Sequence, residues 1–157
     1  MNTSDKQTLC LPEHLHKVFT SERDRVALVS QDENYSYGQI LEGALRTAGW
    51  YRRQGVQPGD RVAIHMAPSL DSVLCYLASL FYGTVLVPLN PRYTEEETLY
   101  FLEDAGARLF LCRTDSTSAG KPEGWSAFLR SPGGGLRETQ KGESLFSILG
   151  DPPPGGS

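Results

Sequence analysis

The chain has little cysteine, little histidine and no excess of positive charge. Its three cysteines, Cys10, Cys75 and Cys112, form no CxxC pair, and an odd thiol remains however they are joined. Neither a disulfide scaffold nor a zinc site is therefore expected. Cys75 and Cys112 lie inside apolar runs and read as small core hydrophobes, reduced thiols of a cytoplasmic protein. His14, His16 and His65 show no ligand spacing with them, so no metal site is expected. Lys plus Arg number 15 against 19 Asp plus Glu, a formal charge of −4. That balance excludes a nucleic-acid binder working through a basic face. Long apolar runs are missing too. The longest, Val73 to Leu89, is interrupted by Ser79, Gly83, Thr84 and Pro88, short of the roughly 20 residues that cross a bilayer. Residues 1–10 are polar, include Asp5, and carry neither the apolar segment of a secretory signal nor the Arg-rich pattern of a transit peptide. A soluble cytoplasmic protein without a transmembrane segment is the expectation.

What is present is ordinary globular composition: 157 residues, 39% hydrophobic and 22% charged, enough for one domain. The composition shifts after Cys112. Residues 113–157 hold 9 of the 16 glycines and 5 of the 10 prolines. Runs such as Ser131-Pro-Gly-Gly-Gly135 and Asp151-Pro-Pro-Pro-Gly-Gly-Ser157 offer little surface to bury against the entropy of ordering them. Residues 1–112 therefore read as an ordered α/β unit and 113–157 as a largely irregular linker. Two apolar islands in it, Trp125–Leu129 and Leu145–Leu149, each read as a short helix that docks on something.

Within 1–112 the punctuation is strong. Leu11 to Phe19 suits a short helix, and Val26–Ser30 with Tyr35–Tyr37 suits a hairpin around the polar turn Gln31-Asp-Glu-Asn34. Ser36 with Gln39 forms a capping box ahead of apolar positions Ile40, Leu41, Ala44, Leu45, Ala48 and Tyr51 at helical spacing. Arg61 to Met66 reads as a strand, and Leu70 to Tyr82 as a helix apolar nearly all round and hence buried. Gly83 ends that helix, and Val85 to Leu89 is an apolar strand. Thr94 with Glu97 makes a second capping box before a helix to Ala105, and Leu109 to Cys112 is a further apolar strand. The order β-α-β-α-β with short connections gives parallel strands with right-handed crossovers, a partial doubly wound sheet preceded by a helix and a hairpin. Three parallel strands leave two open edges. The sheet is expected to continue in sequence outside these 157 residues, unless the tail covers an edge.

Several blocks in this order resemble one family. Asp60-Arg-Val-Ala-Ile-His65, Leu80-Phe-Tyr-Gly83, Val87-Pro-Leu-Asn-Pro-Arg-Tyr-Thr94 and Leu102-Glu-Asp-Ala-Gly-Ala-Arg108 are similar to the N-terminal part of the adenylate-forming (AMP-binding) enzymes, the acyl-CoA synthetases and their relatives. Ser36-Tyr-Gly-Gln-Ile40 stands where that family commonly has Thr-Tyr-x-Glu-Leu. The likeness covers about residues 11–112. It implies an α/β ligase fold in which ATP activates a carboxylate as an acyl-adenylate before the acyl group passes to a thiol, usually coenzyme A, with Mg²⁺ as cofactor. Such chemistry needs a Gly/Ser/Thr-rich loop with a lysine, whose N–H groups and cation meet the triphosphate.

Asp115-Ser-Thr-Ser-Ala-Gly-Lys-Pro-Glu-Gly124 is the local candidate for that loop. Against the family's Thr-Ser-Gly-Thr-Thr-Gly-x-Pro-Lys-Gly it keeps Ser116, Ser118, Gly120, Pro122 and Gly124, with Lys121 as a possible substitute cation. It departs at Thr117, where glycine is expected, and at Glu123, where the phosphate-binding lysine belongs. A carboxylate there repels a triphosphate. The run therefore reads as a coincidence in a Gly/Ser linker, and the chain as stopping before the true ATP loop.

The remaining polar residues carry bland readings. His65 ends a strand at the carboxyl edge of the sheet, where sites tend to form, yet no carboxylate or nucleophile can be assigned beside it. Arg92 reads as a solvated loop arginine, Glu95-Glu-Glu97 as helix-start electrostatics, and Asn90-Pro91 as the turn ahead of the helix. No catalytic residue is assigned. The expectation is an N-terminal fragment of an ATP-dependent carboxylic acid:CoA ligase, inactive alone. The alternative is a non-catalytic α/β module that docks on a partner subunit. A small stand-alone nucleotide enzyme ranks last, because the connections after the strands bear Pro68 and Pro91 rather than a glycine fingerprint. The carboxylate itself is not legible.

Overall fold

A computed structural model describes residues 10–114, 124–142, 145 and 149. Helix α1 (Leu11–Ser21) leads into the hairpin β1 (Val26–Ser30) and β2 (Glu33–Ser36), which pair antiparallel. Gln31 and Asp32 take positive φ, 51° and 64°, at its tight turn, residue types that tolerate or approach that region at modest cost. Helix α2 (Tyr37–Arg53) starts as its sequence dictates. Ser36 Oγ accepts from the Gln39 N–H at 3.2 Å, and Gln39 Oε1 accepts from the Ser36 N–H at 2.8 Å.

Strand β3 (Arg61–His65), helix α3 (Leu70–Tyr82), strand β4 (Val85–Pro88), helix α4 (Glu95–Ala105) and strand β5 (Leu109–Thr114) follow in the expected order. Ser69 caps α3, and Thr94 with Glu97 closes the second capping box on α4. Both helices end on a left-handed glycine, Gly83 at φ 89° and Gly106 at φ 61°, a conformation costly for a residue with a Cβ. One expectation for α3 changes. The helix buries Leu74, Cys75, Ala78 and Ser79, but Tyr76 is 56% exposed, so a single face rather than the whole circumference is covered.

The chain continues where a linker was expected. Strands β6 (Gly124–Arg130) and β7 (Leu136–Gly142) extend the sheet to the order β4-β3-β5-β6-β7. β3 pairs parallel with β4 and β5, while β5–β6 and β6–β7 are antiparallel. Residues 124–142 are thus not irregular, and the island Trp125–Leu129 is not a helix. Trp125 and Ala127 point into the core with Leu129 packed behind them, a period of two. Five residues are too few to separate that period from 3.6. The Gly-rich run is the hairpin turn itself: the Ser131 N–H donates to Gly135 O and the Gly134 N–H to Ser131 O. Of the two open edges expected of three parallel strands, the one at β5 is covered by this chain, the alternative in which the tail covers an edge, and β4 and β7 are the outer strands.

The pleat sorts the core into two layers. Val62, Ile64 and Met66 join α2, α3, Leu109, Leu111, Trp125, Ala127, Leu145 and Leu149 in the larger cluster. Ala63, Phe110 and Leu89 face the other way, against Leu102 of α4. Leu145 and Leu149 are helical and buried, which ties the second apolar island to the core. Trp50 Nε1 donates to Gln140 Oε1 at 3.1 Å, joining α2 to β7. Arg130, at the end of β6, donates to the carbonyls of Ala107, Leu102 and Gly134 and reaches Glu103. Those bonds satisfy carbonyls around the C-terminal end of α4.

Candidate functional site

In an open parallel sheet, ligand groups gather beyond the carboxyl ends of the strands. Here that edge is formed by His65 of β3, the segment 66–69, the turn 89–94 after β4, and Cys112 to Thr114 of β5. The turn is fixed locally. Asn90 Oδ1 accepts from the Arg92 N–H at 2.9 Å, and the Tyr93 N–H donates to Asn90 O at 3.0 Å. Arg92 is exposed, as expected of a loop arginine. Glu97 Oε2 accepts from the Thr94 N–H at 2.7 Å, so this glutamate caps its helix, and Glu95 and Glu96 sit in its first turn.

His65 lies in register with Cys112 on the neighbouring strand. Its Nε2 is buried and has no hydrogen-bond partner among the described residues. Among the described residues no carboxylate bonds it. Instead the structure places a carboxyl on the other side of the edge: Asp71, in the first turn of α3. Burial pushes its pKa up, while the Arg113 charge and the Trp125 indole N–H, which leans toward it, pull the other way. The indole makes no bond of hydrogen-bonding geometry with any described acceptor. This grouping joins α3, β5 and β6, three segments far apart in sequence, and no local motif marks it.

Deeper in the core, Tyr51 and Cys75 meet between α2 and α3. Burial raises the tyrosine hydroxyl well above its ordinary value and pushes the Cys75 thiol up to about 12. A thiol so placed stays protonated and is not a nucleophile. Among the described residues no three His, Cys, Asp or Glu side chains are grouped to hold a metal. No described helix is long and apolar enough to cross a membrane.

The described carboxyl-edge loops do not fit a triphosphate. Pro68 and Pro91 remove donors where a cradle needs consecutive N–H groups. Ser116, Ser118, Gly120 and Lys121, with Thr117 and Glu123, lie outside the described residues.

The family profile described as AMP-binding enzyme matches residues 15–140. The chain belongs to that family. The match runs past the 11–112 that the motifs cover and takes in β6 and most of β7. Surfactin synthase subunit 1 of Bacillus subtilis (strain 168) is 34% identical over 101 residues, 62% of this chain and 3% of that protein. The long-chain-fatty-acid–CoA ligase of the same organism is 37% identical over 82 residues, 52% of this chain and 15% of that enzyme. Among solved structures, the adenylation–PCP fusion NpsA-ThdA from Klebsiella oxytoca superposes with a TM-score of 0.62 at 28% identity, over 71% of this chain and 21% of that one. The chain thus spans a small part of the length of each relative. It corresponds to a partial N-terminal portion of the AMP-binding enzyme fold.

Proposed function

We propose that this chain is the N-terminal α/β portion of an ATP-dependent carboxylic acid:CoA ligase, the parent acting on a fatty acid or another carboxylic acid with Mg²⁺ and coenzyme A. In the parent the acid becomes an acyl-adenylate and then a thioester. The observation that carries the reading is the family match across 15–140 together with described strand ends that offer no triphosphate cradle. A CoA ligase at 37% identity over 52% of this chain and a peptide synthetase at 34% over 62% are both among its relatives, and the CoA branch is the reading adopted here. By itself the 157-residue chain is inactive in this reading. Its unbridged cysteines, Cys10 exposed, Cys75 buried and Cys112 half-buried, fit a reducing cytoplasm.

Carboxylate-dependent ATP–pyrophosphate exchange on the purified chain tests the claim of inactivity, and substantial exchange refutes it. Grafting the 82 matched residues of this chain in place of their counterpart in the Bacillus subtilis long-chain-fatty-acid–CoA ligase tests the ligase branch. The chimaera is expected to form acyl-CoA, and a folded chimaera that forms acyl-adenylate but no thioester refutes it.

A further inference from the structure

Three arginines stand side by side at the amino edge of the sheet. Arg61 opens β3, Arg108 precedes β5, and Arg130 ends the antiparallel β6. The Arg108 N–H donates to Arg61 O at 2.8 Å, and the Arg130 N–H to Arg108 O at 2.9 Å. The outer two reach the end of α4. Arg61 Nε donates to Ala105 O at 2.8 Å. Arg130 Nε donates to Ala107 O at 2.8 Å, Nη2 to Leu102 O at 3.2 Å, and Nη1 to Gly134 O at 2.6 Å. Every nitrogen of that guanidinium is thus used, on a side chain only 17% exposed. Gly106 leaves the space for the Arg61 arm, since a Cβ there would lie 2.8 Å from Arg61 Nη2.

Capping the last carbonyls of a helix explains part of this arrangement. The bond to Gly134 does more, because one guanidinium then holds the hairpin turn and the end of α4 together. From α4 the contact runs on to the carboxyl edge. Phe101, next to the clasped Leu102, stacks on Tyr93 with ring centroids 4.9 Å and planes 18° apart. Tyr93 belongs to the turn 89–94, where its N–H donates to Asn90 O at 3.0 Å. Tyr93 and Phe101, with Phe128 and Leu136 of the hairpin, are half-buried around the Leu102 and Phe110 cluster. Helix α4 has 11 residues, a rod of about 16 Å.

We propose that Arg130 couples docking of the β6–β7 hairpin to the shape of the turn 89–94, at the other end of α4. With the hairpin docked, the guanidinium fixes the end of α4, and Phe101 holds Tyr93 and with it the turn. With the hairpin undocked, the Leu102 and Ala107 carbonyls lose their donor, the last turn of α4 frays, and the stack loosens. Arg130 lies at the opposite edge from the turn, so it is a positioning residue that acts through α4. Its pair with Glu103 adds little, because that carboxylate is 67% exposed and screened by solvent. None of this depends on which acid or thiol the parent uses.

Amide hydrogen exchange of the 157-residue chain, followed by NMR, tests the coupling. Arg130→Met keeps an unbranched stem and removes every side-chain donor. It is expected to speed exchange about tenfold at β6, at Ala107 and at Tyr93 together, the factor that one hydrogen bond to a charged group supplies. The amides of Val56 and Val85, which bond to Tyr51 O and Asp60 O, stay unchanged. Arg130→Lys keeps the charge without the fork and speeds the same amides, which preserves the test should the methionine variant unfold. Glu103→Gln has a smaller effect than either. In a Phe101→Leu background, Arg130→Met still frees β6 but no longer changes Tyr93. Faster exchange that stops at β6 and Ala107 overturns the proposal, as does a uniform rise that includes Val56 and Val85. A Glu103→Gln effect equal to that of Arg130→Met overturns the carbonyl clasp, and an undiminished Tyr93 response in the Phe101→Leu background overturns the relay.

Discussion

Trp125→Ala removes the largest side chain that β6 contributes to the core. Trp125 is 1% exposed and packs in the larger cluster. Truncating a buried tryptophan costs about 3–5 kcal/mol from lost transfer energy and the cavity left behind. Part of that is offset. The indole Nε1 has no partner among the described residues, an existing cost of about 1–3 kcal/mol that disappears with the ring. The expected net loss centres on about 2 kcal/mol, within bounds of about 0–4, a central fall in Tm of roughly 4–8 °C for a chain of this size. Trp125→Phe keeps the ring bulk and drops the N–H, so it is expected to cost at most about 1.5 kcal/mol. Urea unfolding followed by far-UV circular dichroism reads both values. If residues 124–142 hung from the fold as a linker, Trp125→Ala would fall within about 0.5 kcal/mol of the parent chain. That result would refute the placement of β6 in the sheet.

Two further predictions concern titratable groups. Burial raises the Asp71 pKa above its ordinary value, so the folded state binds this proton more tightly than the unfolded chain. Its stabilising share is present below the unfolded pKa and is lost as pH rises through the folded one. Asp71→Asn is therefore expected to be more stable than the parent chain at pH 7, with the difference shrinking toward acid. Paired urea titrations at both pH values measure this, and an Asn variant that is the less stable at pH 7 contradicts it. Cys75, buried and with its thiol pushed up to about 12, is expected to resist alkylation at pH 8 in the native chain, whereas the exposed Cys10 reacts. Peptide mapping after iodoacetamide treatment distinguishes them, and labelling of native Cys75 at the rate of Cys10 would show that the α2–α3 packing is wrong.

Local chemistry was enough for most of the elements. The Ser36/Gln39 and Thr94/Glu97 boxes and the C-terminal glycines Gly83 and Gly106 are bonds between neighbours three or four residues apart or single-residue backbone constraints. Their partners are thus adjacent in the sequence, and the helices start and stop where those residues stand. The alternation of Val62, Ile64 and Met66 against Ala63 likewise named the two faces of β3 before any partner was known. The motif blocks were equally local, which is why family membership was legible from them.

What the sequence alone determined, then, is the set of short-range elements, the β-α-β-α-β order and the family. What only the tertiary structure decided is everything made of long-range contacts. A glycine-rich stretch reads as unordered because its own residues bury little. Residues 124–142 are ordered by pairing with β5 and by the Trp50–Gln140 bond, partners that lie 90 residues apart in the latter case. The Asp71–Arg113–Trp125 grouping and the Arg130–Glu103 pair arise the same way. Their energies come from surfaces that meet only once the sheet has formed, and no spacing along the chain encodes which surfaces those are.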